Sequence, residues 1–202
     1  MKTLSSRIVI TLIIGLFFLS SCGGTKLSNG WLNSAYEGRY LKNVLVVATS
    51  YQFDKKKLEE AFAKYFQEHG VRAVSLASIT EKKKLTSEDI KADAARLGID
   101  AIFTVRIVSI NEKAVTDRFA PPPEASPDWS YSYPIYTLQT PTTTYRFEEK
   151  DIVMESDLHD VSTGKLMWRV RSETVKPGSS AKLIEEVARM VMKDLSANKL
   201  LK

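Results

Sequence analysis

Over residues 44–69 the apolar side chains first form a continuous run and then recur at helical spacing. Val44–Ala48 is a continuous apolar run, which is typical of a strand buried on both faces. Over residues 54–69 the apolar side chains recur at i, i+3, i+4 and i+7, which places one apolar stripe along a helix. Asp54 stands at the N-cap position, and Gly70 follows where a helix C-terminus favours a left-handed residue. This pattern predicts a strand followed by an amphipathic helix.

The same alternation continues to residue 110. The next elements are a short strand at Val71–Leu76, a helix near residues 88–97 capped by Thr86 or Ser87, and a longer strand at Asp100–Ile110. Short connections of this kind favour right-handed crossovers between parallel strands. Residues 44–110 therefore predict a β-α-β-α-β unit.

The periodicity is lost over residues 119–145, which we call the aromatic loop. This segment contains six prolines and four closely spaced aromatic residues, Trp129, Tyr131, Tyr133 and Tyr136. A connection of this length inside a compact domain is uncommon and usually functional or mobile. Trp and Tyr suit binding interfaces, since they give a large contact area at low entropy cost. The four residues are therefore candidates for partner binding, and the alternative, that they pack back over the sheet, stays open.

Order returns after residue 145 with a hairpin and a helix. Apolar and polar side chains alternate with period two over residues 146–161. This pattern predicts a strand whose solvent-exposed face carries Glu155, Asp157 and His159. A turn at Asp160–Gly164 leads into a second alternating strand. A last helix begins at Ser179 or Ser180. The predicted fold class is α/β, a single mixed-sheet domain with the order β-α-β-α-β-(long loop)-β-β-α.

The N-terminus has the three-part form of an export signal. Lys2 and Arg7 are followed by the apolar run Ile8–Leu19, whose 12 residues are too few to span a bilayer core but fit a signal-peptide h-region. Leu19–Cys22 (LSSC) resembles the lipobox of bacterial lipoproteins. That resemblance implies lipid on the Cys22 thiol, cleavage just before Cys22, and acylation of the new amine.

The resemblance also implies a location. In Gram-negative lipoproteins an Asp after the cysteine retains the protein in the inner membrane, so Gly23 implies the outer membrane. We expect the domain to face the periplasm. The alternative is an ordinary signal peptide cut near Ser21, with Cys22 incidental. We expect a signal peptide at 1–21, a lipidated tether at 22–40 and an α/β periplasmic domain at 41–198. Within the tether, the side chains able to dock on the domain are Trp31, Leu32 and Tyr36.

Removal of the predicted signal peptide lowers the net charge of the chain and changes what that charge implies about partners. The whole chain has 29 Lys and Arg against 24 Asp and Glu, a formal charge of +5. Removal of residues 1–21 takes Lys2 and Arg7 away and leaves 27 against 24, or +3. Because an exported protein does not meet chromosomal DNA, we expect no nucleic-acid partner. We expect the basic runs Lys55–Lys57 and Lys82–Lys84 to be solvated surfaces, with contact to anionic lipid as the alternative.

Two further motifs resemble a known group of proteins. Ala94–Ile102 is similar to an A-x-x-L-G-A/V/I-D strand start, and Asp160–Trp168 to a D-x-x-T-G-K-L-x-W hairpin. Both recur in periplasmic lipoproteins with a TolB-N-terminal-like α/β domain, a group that includes penicillin-binding-protein activator and curli-secretion lipoproteins. The resemblance covers about residues 40–198. It implies this fold and a role through protein contacts, while the Pro- and Tyr-rich insert departs from the activator and curli proteins.

Residues able to carry catalysis are few. One cysteine excludes an internal disulfide and a cysteine-based zinc site. His69 falls at a helix C-terminus, where a cation complements the dipole, and His159 shares a strand face with Asp157 but has no G-x-S-x-G motif beside it. Glu155, Asp157 and His159 would need a further ligand to hold a metal. We expect no catalytic residue, no metal and no cofactor.

The hypothesis from sequence is a non-enzymatic, membrane-anchored lipoprotein whose α/β domain binds a protein partner in the cell envelope. The alternative is a binding module for cell-wall glycan or a small ligand, through the aromatic loop. A third hypothesis is a hydrolase that uses His159. A homo-oligomer is compatible with each of them.

Overall fold

The computed structural model describes residues 24–49, 54–80, 84–111, 135–137 and 150–202. The described strands are β1 (Thr25–Leu32), β2 (Asn43–Ala48), β3 (Arg72–Ser75), β4 (Lys84–Thr86), β5 (Ala101–Asn111), β6 (Ile135–Thr137), β7 (Asp151–Asp160) and β8 (Leu166–Thr174). The described α-helices are α1 (Lys55–Glu68), α2 (Leu76–Ile79), α3 (Ser87–Arg96) and α4 (Ser180–Ala197). A 3-10 turn covers Ser34–Tyr36.

Six of these strands form one mixed sheet in the order β1-β8-β7-β5-β2-β3. β2 runs parallel to β3 and to β5, and the pairs β5–β7, β7–β8 and β8–β1 are antiparallel. β4 and β6 form a separate antiparallel pair. The predicted α/β fold with a single mixed sheet is confirmed.

The three long helices begin where the sequence indicated, and α1 and α3 also end there. Asp54 caps α1 by accepting from the Lys57 amide at 3.3 Å, and Thr86 forms a capping box with Asp89 at the start of α3. Ser179 caps α4. Gly70 and Gly98 follow α1 and α3 with φ of 76° and 63°, the left-handed conformation that glycine adopts most readily.

The helices cover the two sheet faces unequally. On the first face, α1 and α4 pack over the sheet. The ring centroids of Phe62 and Phe66 lie 5.0 and 5.2 Å from that of Phe103, the first ring tilted and the second edge-on to it. On the second face, α3 belongs to a smaller cluster that includes Leu45 on β2, Ile102 at the start of β5 and Val74 on β3. The main core therefore lies between the sheet and the α1–α4 layer.

The structure differs from the sequence prediction at the tether. Residues 25–32, which we expected to be part of a tether at 22–40, form β1 and pair along β8 at the sheet edge. Tyr36 is buried, and its hydroxyl lies 2.9 Å from the Thr163 hydroxyl. Gly, Ser and Asn have low strand propensity, so this strand depends on its partner rather than on its own composition. Only residues 23 and 24 separate Cys22 from the first residue of the sheet.

The strand registers define two ends of the sheet. One row of paired residues runs through Thr25, Thr174, Ile152 and Ile110, and we call this the upper end. The β7–β8 turn, residues 161–165, marks the lower end. Helices α1, α3 and α4 all begin at the upper end and finish at the lower one.

Candidate functional site

The second face of the sheet carries a cluster of charged side chains beyond the area that α3 covers. We call it the charged layer. Its members are Arg106 on β5, Glu155 and Asp157 on β7, and Arg169 and Arg171 on β8. Strand alternation turns all five away from α1 and α4.

Each carboxylate of the charged layer is held by arginines from neighbouring strands. Arg169 binds Asp157 through two parallel hydrogen bonds, Nε to Oδ1 at 2.5 Å and Nη2 to Oδ2 at 2.6 Å. Glu155 lies between Arg106, whose Nη2 is 2.5 Å from Oε1, and Arg171, whose Nε is 2.9 Å from Oε2. Such charge-assisted contacts join β5, β7 and β8 across the sheet.

The arginines cover the carboxylates. Glu155 and Asp157 are each 1% exposed, whereas the Arg106 side chain is 37% exposed. Burial raises the pKa of the Glu155 carboxyl, but the nearby Arg106, Arg169 and Arg171 outweigh burial and hold that pKa below its usual value. Burial raises the pKa of the Asp157 carboxyl, and Arg169 opposes this rise. The prediction that this face of the strand is exposed to solvent is therefore wrong.

This arrangement is unsuited to acid–base chemistry. A general acid or base must reach a proton on the substrate. Asp157 is engaged by Arg169, and His159 on the same face is 2% exposed, so neither is open to an incoming substrate. Within the described ranges, no three His, Cys, Asp or Glu residues are grouped so that they could hold a metal ion.

The arginines of the charged layer were missed at the sequence level, although a signal was present. A hairpin turn at residues 161–165 sets Glu155 opposite Arg171 and Asp157 opposite Arg169, as the observed register does. Opposite charges at facing positions of a hairpin indicate cross-strand pairs. The contribution of Arg106 from β5 could not be found in this way, because β5 lies far away in the chain.

Other residues singled out from sequence have structural roles. His69 Nδ1 lies 2.8 Å from the Tyr65 carbonyl at the end of α1. Asp160 holds the β7–β8 turn by accepting from the Thr163 amide at 2.8 Å, and it also contacts Ser162 and Arg39. The motif around Asp160 is therefore a turn motif.

Most of the residues predicted to carry lipid or to bind a partner are not part of the charged layer or of the described structure. Cys22, Trp129, Tyr131 and Tyr133 lie outside the described residues. Tyr136 belongs to β6, where its backbone is the register partner of Leu85. These predictions remain proposals.

The described residues that lie nearest in the chain to Cys22 and to the aromatic loop are found at the upper end of the sheet. Thr25, the first residue of β1, is the register partner of Thr174, and their hydroxyls are 2.8 Å apart. Asn111 comes before the aromatic loop in the chain and Asp151 comes after it, and we call these two residues the roots of the loop. They are register partners in the same part of the sheet. Thr25 and both roots of the aromatic loop therefore lie at the same end of the domain.

The upper end also carries an exposed turn between β8 and α4, residues Val175–Gly178, which we call the upper turn. Val175 is 41% exposed, and Lys176 is exposed with a φ of 44°. Pro177 is buried, and Ser179 starts α4 directly after the turn. None of the helices in the described part of the chain has the length and apolar content needed to cross a bilayer.

Comparison with known proteins found similarity only among solved structures. No family model matches the chain. No curated protein matches it either. The PelC dodecamer from Paraburkholderia phytofirmans is 13% identical with a TM-score of 0.44, covering 90% of this chain and 100% of that one.

Two further solved structures are similar at lower scores. The lipoprotein GNA1162 from Neisseria meningitidis is 13% identical with a TM-score of 0.40, covering 77% of this chain and 99% of that one. TolB from Acinetobacter baumannii is 11% identical with a TM-score of 0.38, covering 88% of this chain and 31% of that one.

Proposed function

We propose that this chain is a lipid-anchored, non-enzymatic protein of the bacterial cell envelope whose α/β domain binds a protein partner. Cys22 carries the lipid, the chain sits on the outer membrane facing the periplasm, and the aromatic loop is the docking segment. One observation carries the proposal: the start of β1 and both roots of the loop lie at the upper end of the sheet.

In this proposal the anchor and the docking segment lie on the same side of the domain, because the described residues next to them in the chain do so. Three residue steps lead from Cys22 to Thr25, and the aromatic residues Trp129, Tyr131, Tyr133 and Tyr136 belong to the connection that starts and finishes at the upper end. A partner that binds this loop would therefore meet the domain close to the membrane. The charged layer supports a non-enzymatic role, because its buried carboxylates are held by arginines.

Photo-crosslinking in cells tests where the partner binds. A photoreactive amino acid is placed at Lys150, which is exposed beside a loop root, and in a matched variant at Lys165, which is exposed at the lower end. We expect a discrete protein adduct from position 150 and none from position 165. The same adduct from both positions, or only from 165, would reject an upper-end docking site.

Two further variants separate the parts of the proposal. Deletion of residues 119–140 should abolish the adduct at position 150; recovery of the same partner without the loop would show that the loop is not the docking segment. Cys22→Ser should release the protein from the membrane fraction and remove the lipid mass from its N-terminal peptide. If Cys22→Ser leaves both unchanged, Cys22 is not the anchor.

The glycan-binding alternative has its own test. The protein is incubated with purified peptidoglycan at low and at high salt. Retention that survives high salt would favour glycan binding through the aromatic loop, because stacking contacts are less sensitive to salt than ion pairs. A protein that washes off in both conditions has no such function.

A further inference from the structure

The folded domain begins very close to the proposed lipid anchor. β1 starts at Thr25, so three residue steps separate its first residue from Cys22. An extended chain covers at most about 3.3–3.6 Å per residue, so three residue steps reach no further than about 10 Å. The headgroup layer of one leaflet is about 5–7 Å deep, from the difference between total and hydrocarbon thickness. A lipid on Cys22 would therefore hold the upper end at the membrane surface.

The upper turn is the neighbour of Thr25 at this end. The Thr25 hydroxyl is 2.8 Å from the Thr174 hydroxyl and 3.0 Å from a carboxylate oxygen of Glu186 on α4. Val175 follows Thr174 directly, so the upper turn is tied to β1 rather than free to swing away. Buried Pro177 and the helix cap at Ser179 hold its other side.

The upper turn has the composition of a surface that meets lipid. Val175 exposes 41% of its surface, although most large apolar side chains in the described part of the chain are covered. The nearby cations Lys26 and Lys182 face acids, since Lys26 is the register partner of Glu173 and Lys182 lies 3.8 Å from Glu186. Lys176, by contrast, makes no ion pair with any residue that the structure describes, and its left-handed φ of 44° is unusual for a lysine.

We propose that the upper turn lies in the headgroup layer of the membrane that holds the lipid on Cys22. Lys176 contacts lipid phosphates, and Val175 points toward the acyl chains. This inference rests on the proposed lipidation of Cys22. It adds a fixed orientation, because a second contact beside the anchor prevents the domain from tumbling on its tether.

The orientation sets the height of the opposite end. β7 has 10 residues and runs from the upper to the lower end, a length of about 33 Å at 3.2–3.4 Å per residue. Lys165 in the lower turn therefore stands about 30 Å above the headgroups. This difference in height makes it a matched control position for a depth measurement.

The test uses the full, lipidated protein in vesicles of phosphatidylcholine and phosphatidylglycerol. Cys22 is the only cysteine, so in Val175→Cys and Lys165→Cys variants a thiol-reactive fluorophore labels only the new position when Cys22 carries lipid. Spin-labelled headgroups then report the depth of each probe. We expect several-fold stronger quenching at 175 than at 165. Lys176→Cys is a second probe position in case Val175→Cys disturbs the turn, and it should behave as 175 does.

Each outcome has a defined meaning. Probes at 175 and 176 that are as weakly quenched as the probe at 165 would overturn the membrane contact. A cysteine at position 175 that is protected from the thiol reagent in native envelopes but not in lipid vesicles would also overturn the membrane contact, since a protein would then cover the turn. Mass spectrometry that finds two fluorophores on the Val175→Cys variant would instead reject lipidation, which separates failure of the proposed function from failure of this inference.

A charge reversal tests the role assigned to Lys176. Lys176→Glu should weaken quenching of the probe at 175 in vesicles that contain phosphatidylglycerol and change it little in pure phosphatidylcholine. Lys165→Glu is the control with the same charge change at the lower end, and we expect no effect from it. Equal responses to the two substitutions would contradict a specific contact at Lys176.

Discussion

Arg169 and Asp157 face each other across β8 and β7, joined by two parallel hydrogen bonds of 2.5 and 2.6 Å. Asp157 is 1% exposed, and the Arg169 side chain is 16% exposed. The pair therefore lies inside the protein, where the loss of one partner costs far more than at the surface.

Asp157→Ala should lower the free energy of unfolding by about 3 kcal/mol, because it removes the main counter-ion of a mostly buried guanidinium. Urea unfolding at neutral pH measures this loss. Glu185→Ala is the control, since Glu185 and Arg189 form a 2.9 Å pair in which both side chains are exposed. We expect about 0–1 kcal/mol from it. Equal effects would mean that the charged layer does not stabilise the sheet.

Asp160 makes the stability of the fold depend on pH. Burial raises the pKa of its carboxyl, but Ser162, Thr163 and Arg39 together hold that pKa below the usual value. Since the folded pKa is below the unfolded one, the stabilisation is present above the ordinary Asp pKa of about 3.9 and is lost as the pH falls through the folded pKa. Asp160→Asn should therefore destabilise the protein at neutral pH and progressively less in acid.

Urea midpoints measured from neutral pH into the acid range check this prediction. Asp54→Asn is the matched control, because Asn caps a helix as well as Asp does and α1 should keep its N-cap. A constant difference between Asp160→Asn and the unaltered protein at all pH values would contradict the linkage.

Lys199 offers a stabilising change. It follows the C-cap of α4 with a φ of 57°, while the Leu200 amide bonds back to the Leu195 carbonyl at 2.9 Å. Gly70 and Gly98 occupy the same position after α1 and α3, and glycine adopts this conformation without strain. Lys199→Gly should raise the thermal midpoint, with a gain of up to about 1 kcal/mol.

The control for this substitution is Lys193→Gly, at an exposed position inside α4. There glycine should destabilise by about 1 kcal/mol, since it loses more backbone entropy in a helix than other residues do. Calorimetry of both variants gives opposite signs if the left-handed geometry is the cause. A loss of stability in both would show that the Lys199 side chain matters more than its backbone.

Glu59 joins the end of β2 to the start of α2. It is fully buried, and its two carboxylate oxygens accept from the Ala48 amide at 2.9 Å and from the Ala77 amide at 2.7 Å. Lys55, one helical turn earlier, is 3% exposed; burial lowers the pKa of its ammonium group, and the charge of Glu59 opposes that shift.

Glu59→Gln should cost about 2 kcal/mol, because its amide nitrogen then meets a backbone donor and Lys55 loses a nearby negative charge. In the double variant with Lys55→Met, the total loss should be smaller than the sum of the single losses. A double-mutant cycle in urea measures this coupling. Strict additivity would contradict an energetic link between the two side chains.

Much of the fold could be predicted because its signals are local. Asp54, Thr86 and Ser179 cap the helices that follow them, and the apolar stripes of those helices face the sheet. The short elements were missed, since α2, β4 and β6 have three or four residues each and show no complete period. β6 in particular exists by pairing with β4, about 50 residues away in the chain.

The sequence by itself determined the three long helices, the parallel core strands and the β7–β8 hairpin, because each depends on neighbours along the chain. Only the tertiary structure decided the rest. β1 forms because β8 offers it a pairing edge 149 residues away, and this turns an expected tether into part of the sheet. Glu155 is buried because arginines from two other strands compensate its charge. Both outcomes depend on groups that are distant in the chain and become neighbours only when the sheet has formed.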